Sequence, residues 1–269
     1  MPNPPAHALD FARSIAHDAG RIALERFRRP QDIRSKGRGD LVTETDLAVE
    51  RMLHDAIARE FPEHHVLSEE TAAGTPLDGW VWVIDPIDGT RNFVSGIPFF
   101  CINIALCHDG EPVVAVTYDP NHADTFSAQR GQGAWCNGEQ VRASESPTVQ
   151  ASVFGFDLGY EEEPGRAMLQ LVGRIFPGVQ SLRIPGSAAL GLAYAACGRY
   201  DLFMHHFLFP WDVAAGILLV QEAGGTITNR LGNAIDVRSR TVLAGAQEIG
   251  VGALRSGEDG PAPDIDRVP

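Results

Sequence analysis

The segment from Trp80 to Phe93, WVWVIDPIDGTRNF, restricts the fold of this chain more than any other. Its first five residues are apolar without polar alternation, which predicts a strand covered on both faces and so a sheet held between helices. The strand leads into Asp85, Pro86, Ile87, Asp88, Gly89 and Thr90. On a continuing regular strand, two carboxylates three positions apart face opposite sides. Pro86 and Gly89 instead predict a turn, which brings Asp85, Asp88 and the carbonyl of Ile87 to one point. Hard cations such as Mg²⁺ take oxygen ligands of this kind. The competing reading is an Asp-rich turn that only caps its own backbone amides.

The rest of the chain supplies the layers. Apolar residues at three- and four-residue spacing predict a helix from Ala8 to Phe27, stopped near Pro30. The polar stretch Gln31 to Asp40, with Lys36, Gly37 and Gly39, reads as a mobile surface loop and a candidate lid. A second helix is predicted over Glu44 to Phe61, with Thr43 and Asp46 spaced as a capping box and Pro62 ending it. Short Val-, Ile-, Trp- and Phe-rich runs then predict strands at Val66–Leu67, Trp80–Ile84, Phe99–Cys107, Val113–Tyr118 and Ser152–Phe156. Beyond them come a helix around Arg166–Phe176, a strand near Val179–Ile184, and helices over Ser187–Cys197 and Asp212–Ala223. The expected class is a layered α+β or α/β arrangement. We divide it into an α+β half over 1–145 with most of the candidate ligands, an α/β half over 146–255, and a loosely ordered tail over 256–269.

Charge and composition narrow the partners. The 35 acidic residues against 22 basic give a net charge of −13, with no dense Lys/Arg block, which disfavours a nucleic acid partner. The apolar stretches Ala188–Cys197 and Val213–Val220 fall short of the ~18 to 20 residues of a membrane span. Cys101, Cys107, Cys136 and Cys197 form no CxxC pair, and the N-terminus lacks a basic, then apolar leader, so a cytoplasmic protein without structural zinc or disulfides is expected.

Further acids lie at places where a helix or strand ends. Glu69 and Glu70 follow the strand of Val66 and Leu67, Asp212 opens a helix after Pro210 and Trp211, and Asp46 sits in the capping box. Each alone reads as a solvated glutamate or a helix cap. Together, the motifs DLVTETD (Asp40–Asp46), SEE (Ser68–Glu70), WVIDPIDGTRNF (Trp82–Phe93), GSAA (Gly186–Ala189) and PWDVAAG followed by EAGG (Pro210–Gly225) resemble the inositol monophosphatase family, from the first helix to about Ala246.

The resemblance implies an αβαβα sandwich of the inositol monophosphatase and fructose-1,6-bisphosphatase type, a homodimer, and a Mg²⁺-dependent, lithium-sensitive phosphomonoesterase acting on a small phosphorylated metabolite. Its motif positions imply Glu69, Asp85, the carbonyl of Ile87, Asp88 and Asp212 as metal ligands. They imply Thr90 and Asp46, with Glu69, as the catalytic groups that orient and activate water. They imply Asp88, Gly89, Thr90, Gly186, Ser187, Ala188 and His205 on the substrate side. Family members acting on sugar and inositol phosphates carry a glutamate where His205 stands here, seven residues before Asp212. That departure leaves histidinol phosphate, fructose 1,6-bisphosphate and 3′-phosphoadenosine 5′-phosphate beside inositol monophosphate as candidate substrates. His205 and His206 read equally as surface histidines, and Lys36 as a solvated loop residue. A regulatory module that keeps the metal site without turnover is the non-enzymatic alternative.

Overall fold

The computed structural model describes residues 3–35, 37, 41–71, 76–145 and 148–246. The tail over 256–269 and Lys36 lie outside the described residues. Helix α1 (Ala8–Arg26) leads to an antiparallel pair, β1 (Ile33–Ser35) with β2 (Leu41–Thr43), and then to α2 (Glu44–Glu60). The pairing of Ile33 with Thr43 corrects part of the loop expected over Gln31 to Asp40: Ile33–Ser35 is extended and exchanges backbone hydrogen bonds with β2.

A seven-stranded sheet follows in the order β3 (His65–Ser68), β4 (Trp80–Asp88), β5 (Cys101–His108), β6 (Glu111–Asp119), β7 (Asp124–Gln129), β8 (Ala134–Cys136) and β9 (Glu139–Val141). Only β3 and β4 run parallel; the other neighbours are antiparallel. The short helix α3 (Thr90–Ser95) leaves the end of β4. The second sheet holds β10 (Val153–Phe156), β11 (Ser181–Arg183), β12 (Leu202–His205), β13 (Thr226–Thr228) and β14 (Val242–Gly245), in the order β11-β10-β12-β14-β13. Helices α4 (Glu162–Ile175), α5 (Ala188–Ala196) and α6 (Pro210–Glu222) complete the elements of the described residues. Among the described residues, no helix is long and apolar enough to cross a membrane.

Three apolar clusters hold five layers together. On β4, Trp82 and Ile84 pack with α1 and α2, whereas Val81 and Val83 pack with α5 and α6. The same split separates Ile102, Ile104 and Leu106 from Cys101, Ala105 and Cys107 on β5. Alternate side chains therefore bury on opposite faces, which is why these strands are apolar throughout. Phe203 and Ala244 of the second sheet join the α5–α6 cluster, while Phe154, Met204 and Leu243 pack with Met168 and Val172 of α4. The order is helices, sheet, helices, sheet, helix, as expected. The expected helix at Arg166 begins a turn earlier, at Glu162, because Pro164 and Gly165 fall in its first turn, where a missing N–H costs nothing.

Candidate active site

The end of β4 sets the geometry. Asp85 pairs with Asn103 but Asp88 pairs with Cys101, so three steps on β4 oppose two on β5. This is a β-bulge, not the turn expected from Pro86 and Gly89. The extra residue resets the alternation: Ile87 turns into the cluster beneath α1 and α2, and Asp85 and Asp88 share the opposite side. Proline is tolerated there because a bulge needs no ladder donor at every position. Gly89 follows at φ +94°, where a Cβ would stand 3.1 Å from the carbonyl oxygen of Phe99 and 3.2 Å from that of Gly186.

Two other elements bring their carboxylates to this point. In the parallel β3–β4 pair, Ser68 lies beside Ile84, and the next amide, of Glu69, donates to the Ile84 carbonyl at 3.4 Å. Glu69 is thereby carried to the level of Asp85. Helix α6 starts with Pro210, and its Asp212 accepts the amide of Phe209 at 2.7 Å, which fixes the carboxylate at the helix entrance. One oxygen from each of Asp85, Asp88 and Asp212 lies within 4.8 Å of the others. All three have pKa values above the ordinary carboxylate range: burial is the main cause, and for Asp85 the charges of Glu69, Asp88 and Asp212 add to it. Like charges gathered in a low-dielectric site fit an occupant of high positive charge with a preference for oxygen ligands.

Asp88 is also held by the start of α5. It accepts hydrogen bonds from the Ser187 hydroxyl, from the Ala189 amide at 3.0 Å and from the Ala188 amide at 3.3 Å. Behind Asp88, the Thr90 hydroxyl lies 3.2 Å from Asp46 Oδ1 and 2.9 Å from the Ile87 carbonyl oxygen. Asp46 completes the expected capping box, accepting the Thr43 amide at 2.8 Å and its hydroxyl at 2.5 Å. Burial raises its pKa to about 6 against these hydrogen bonds.

A cavity of about 850 Å³ opens over this cluster. Glu69, Asp85, Ile87, Asp88, Gly89, Thr90, Gly186, Ser187, Ala188, His205 and Asp212 all line it; Asp46 stands behind Thr90. The lining also includes Arg91, Arg166, Tyr160 and Asp157, which the sequence reading missed. Asp157 carried the same signal as Asp85, an acid directly after a predicted strand, but it belongs to no motif that marks it out.

His205 and His206 are buried, at 7% and 3% exposure, so the surface reading is corrected. Strand β12 lies inside its sheet between β10 and β14, and its end is covered. His205 Nδ1 accepts the Phe207 amide at 3.1 Å, leaving its proton on Nε2. Burial lowers His205 to about 3 and His206 to about 4 from the ordinary 6.5. A base depressed on folding contributes stability above pH 6.5 that is lost as pH falls toward its folded value. Asp46 at about 6 and Asp157 at about 7 act oppositely, contributing stability at low pH that fades as pH rises through those values. Comparing variants isolates the histidine part. His206→Gln is expected to reduce the destabilisation between pH 7 and pH 5 by about 2 kcal/mol, read from thermal melts of chelated protein. An unchanged profile would show that His206 is protonated in the folded state.

Comparison with known proteins identifies relatives of the whole chain. Residues 5–257 match the inositol monophosphatase family. Inositol monophosphatase 2 of Solanum lycopersicum is 39% identical over 244 residues, covering 88% of this chain and 92% of the relative. Nus factor SuhB of Escherichia coli K12 is 37% identical over 242 residues, covering 88% and 90%. The solved structure of the Thermotoga maritima IMPase superposes with a TM-score of 0.86 at 32% identity, covering 93% of this chain and 97% of that one.

Proposed function

Because the chain belongs to the inositol monophosphatase family, a family of phosphoric monoester hydrolases, we propose that it is a Mg²⁺-dependent phosphomonoesterase that hydrolyses a small phosphorylated metabolite by direct attack of water. The observation that carries this reading is the convergence of Asp85, Asp88 and Asp212 within 4.8 Å of one another on the wall of a cavity large enough for a metabolite. These three carboxylates, with Glu69 and the Ile87 carbonyl, form a hard oxygen donor set of the kind Mg²⁺ requires. Bound Mg²⁺ would supply the charge that lowers the pKa of water and shields the leaving oxygen.

The chain's own residues do the rest. The Thr90 hydroxyl donates toward Asp46 and can then accept a hydrogen bond from water, so the pair orients the nucleophile more than it supplies basicity. The amides of Gly89 and Thr90, at the junction of β4 and α3, are the donors for phosphate oxygens, and Gly186 to Ala188 with His205 face the alcohol part. A buried neutral His205 replaces a charge with a single N–H donor, which favours a hydroxyl or another acceptor at that point. The net charge of −13 supports a small substrate over nucleic acid. A homodimer, lithium inhibition and cytoplasmic residence belong to the same proposal.

The test is phosphate release from inositol monophosphate, histidinol phosphate, fructose 1,6-bisphosphate and 3′-phosphoadenosine 5′-phosphate, each with Mg²⁺ and with chelator. One substrate is expected to turn over far faster than the others, and only with Mg²⁺. The Escherichia coli relative is named as a Nus factor. Calorimetric Mg²⁺ binding without turnover of any of the four would overturn the phosphatase reading and leave a metal-binding regulatory module in its place.

A further inference from the structure

Asp157 stands apart from every motif, yet it is bonded to the part of the chain that holds Asp88. It follows β10, and its amide donates to the Met204 carbonyl of β12 at 3.2 Å, so its backbone is fixed in the second sheet. Asp157 is buried, at 6% exposure, and lines the cavity. Its Oδ1 accepts the amide of Gly186 at 3.0 Å, while Oδ2 has no hydrogen-bond partner among the described residues.

The segment it grips has little slack. Its carbonyls are held as well: Asn92 Nδ2, 2.7 Å from the Phe99 carbonyl oxygen, lies 2.9 Å from that of Pro185 and 3.2 Å from that of Gly186. Gly186 itself is at φ +75°, and a Cβ there would stand 3.0 Å from Asn92 Nδ2. The next three residues supply the hydroxyl and the two amides that Asp88 accepts. Asp157 thus holds the amide of Gly186 and Asn92 its carbonyl, and the residues that follow deliver three donors to one carboxylate of the acidic cluster.

We propose that Asp157 is a positioning residue: by accepting the Gly186 amide it sets the Gly186–Ser187 turn, and through that turn it fixes Asp88 for divalent cation binding. The inference rests on the reading of Asp88 as a metal ligand. It means that a carboxylate just past a strand of the five-stranded sheet tunes a cation site built at the end of a strand of the seven-stranded one. Groups that orient a ligand from behind it typically change metal affinity by about 10 to 100-fold when removed.

The experiment compares Mn²⁺ binding by calorimetry in the full-length wild type, Asp157→Ala and Asp157→Asn, with melts of the chelated proteins. Asp157→Ala removes the acceptor and is expected to weaken Mn²⁺ binding by about tenfold. Asp157→Asn keeps an oxygen for the Gly186 amide and is expected to bind within about threefold of wild type, a rescue that loss of packing alone would not produce. If Asp157→Ala does not fold, Asp157→Ser, too short to reach Gly186, must show the same weakening. Wild-type affinity in Asp157→Ala with only a lower melting temperature would reduce Asp157 to a stabilising contact and overturn the proposal. So would a raised KM at unchanged cation affinity, which marks a direct substrate contact, or an Asn variant as weak as the Ala variant, which marks a pure charge effect. Absence of Mn²⁺ binding in the wild type would instead overturn the metal reading of Asp88, and the inference with it.

Discussion

Asp88→Asn is expected to silence phosphate release, lowering kcat/KM by about a thousandfold or more, in a protein that still folds. The side chain is isosteric, and its remaining oxygen can still accept an amide of Ala188 or Ala189, so the start of α5 keeps a partner. What disappears is one of three charges gathered within 4.8 Å. That charge is costly to bury without a cation, as the raised pKa of Asp88 records. The chelated variant should therefore melt no lower than the chelated wild type, while its affinity for Mg²⁺ falls together with its activity. The decisive comparison is turnover and calorimetry on the same preparations. Retention of a tenth of wild-type activity would show that Asp88 is not part of the reacting centre.

Asp46→Asn separates orientation of water from binding of the cation. Asp46 touches Thr43 and Thr90 and is absent from the cavity lining, so the variant should bind Mg²⁺ as the wild type does. Its kcat should fall by about a hundredfold, near 3 kcal/mol of barrier, with KM little changed. An amide facing Thr90 would donate where the carboxylate accepts, turning the hydroxyl away from the direction in which it can hold the nucleophile. The helix itself should persist, because the amide oxygen can still accept the Thr43 amide. A KM effect with unchanged kcat would move Asp46 out of the reaction and into substrate binding.

The two carboxylates differ in how far they could be read in advance. Asp46 was legible as a capping residue because a cap acts over three residues, and the structure keeps that role while adding the contact to Thr90. Asp85 and Asp88 were legible as a converging pair, but the means was misread. Pro86 and Gly89 suit a turn and a bulge equally, and only the pairing with Asn103 and Cys101 distinguishes them. Strand β12 escaped notice because it is short and runs into His205 and His206, which look polar in sequence yet are buried by neighbours distant along the chain. Strands β7 to β9 and β13 are short or mixed in polarity, with no run long enough to carry a period. Asp157 was missed because an acid after a strand means little until something is seen to be bonded to it.

By itself the sequence determined the layers and the donor chemistry. Apolar strands demanded cover on both faces, amphipathic and small-residue helices supplied it, and carboxylates stood where strands and helices end. Those are local properties, set by periodicity, caps and side-chain type over a few residues. The tertiary structure alone decided that Glu69, Asp85, Asp88 and Asp212 meet, that Thr90 reaches Asp46, and that Asp157 holds the turn beneath Asp88. Distances between these groups depend on a one-residue bulge, on strand register and on how α5 and α6 sit between two sheets. Those are set by the packing of the whole core, which no short window of sequence contains.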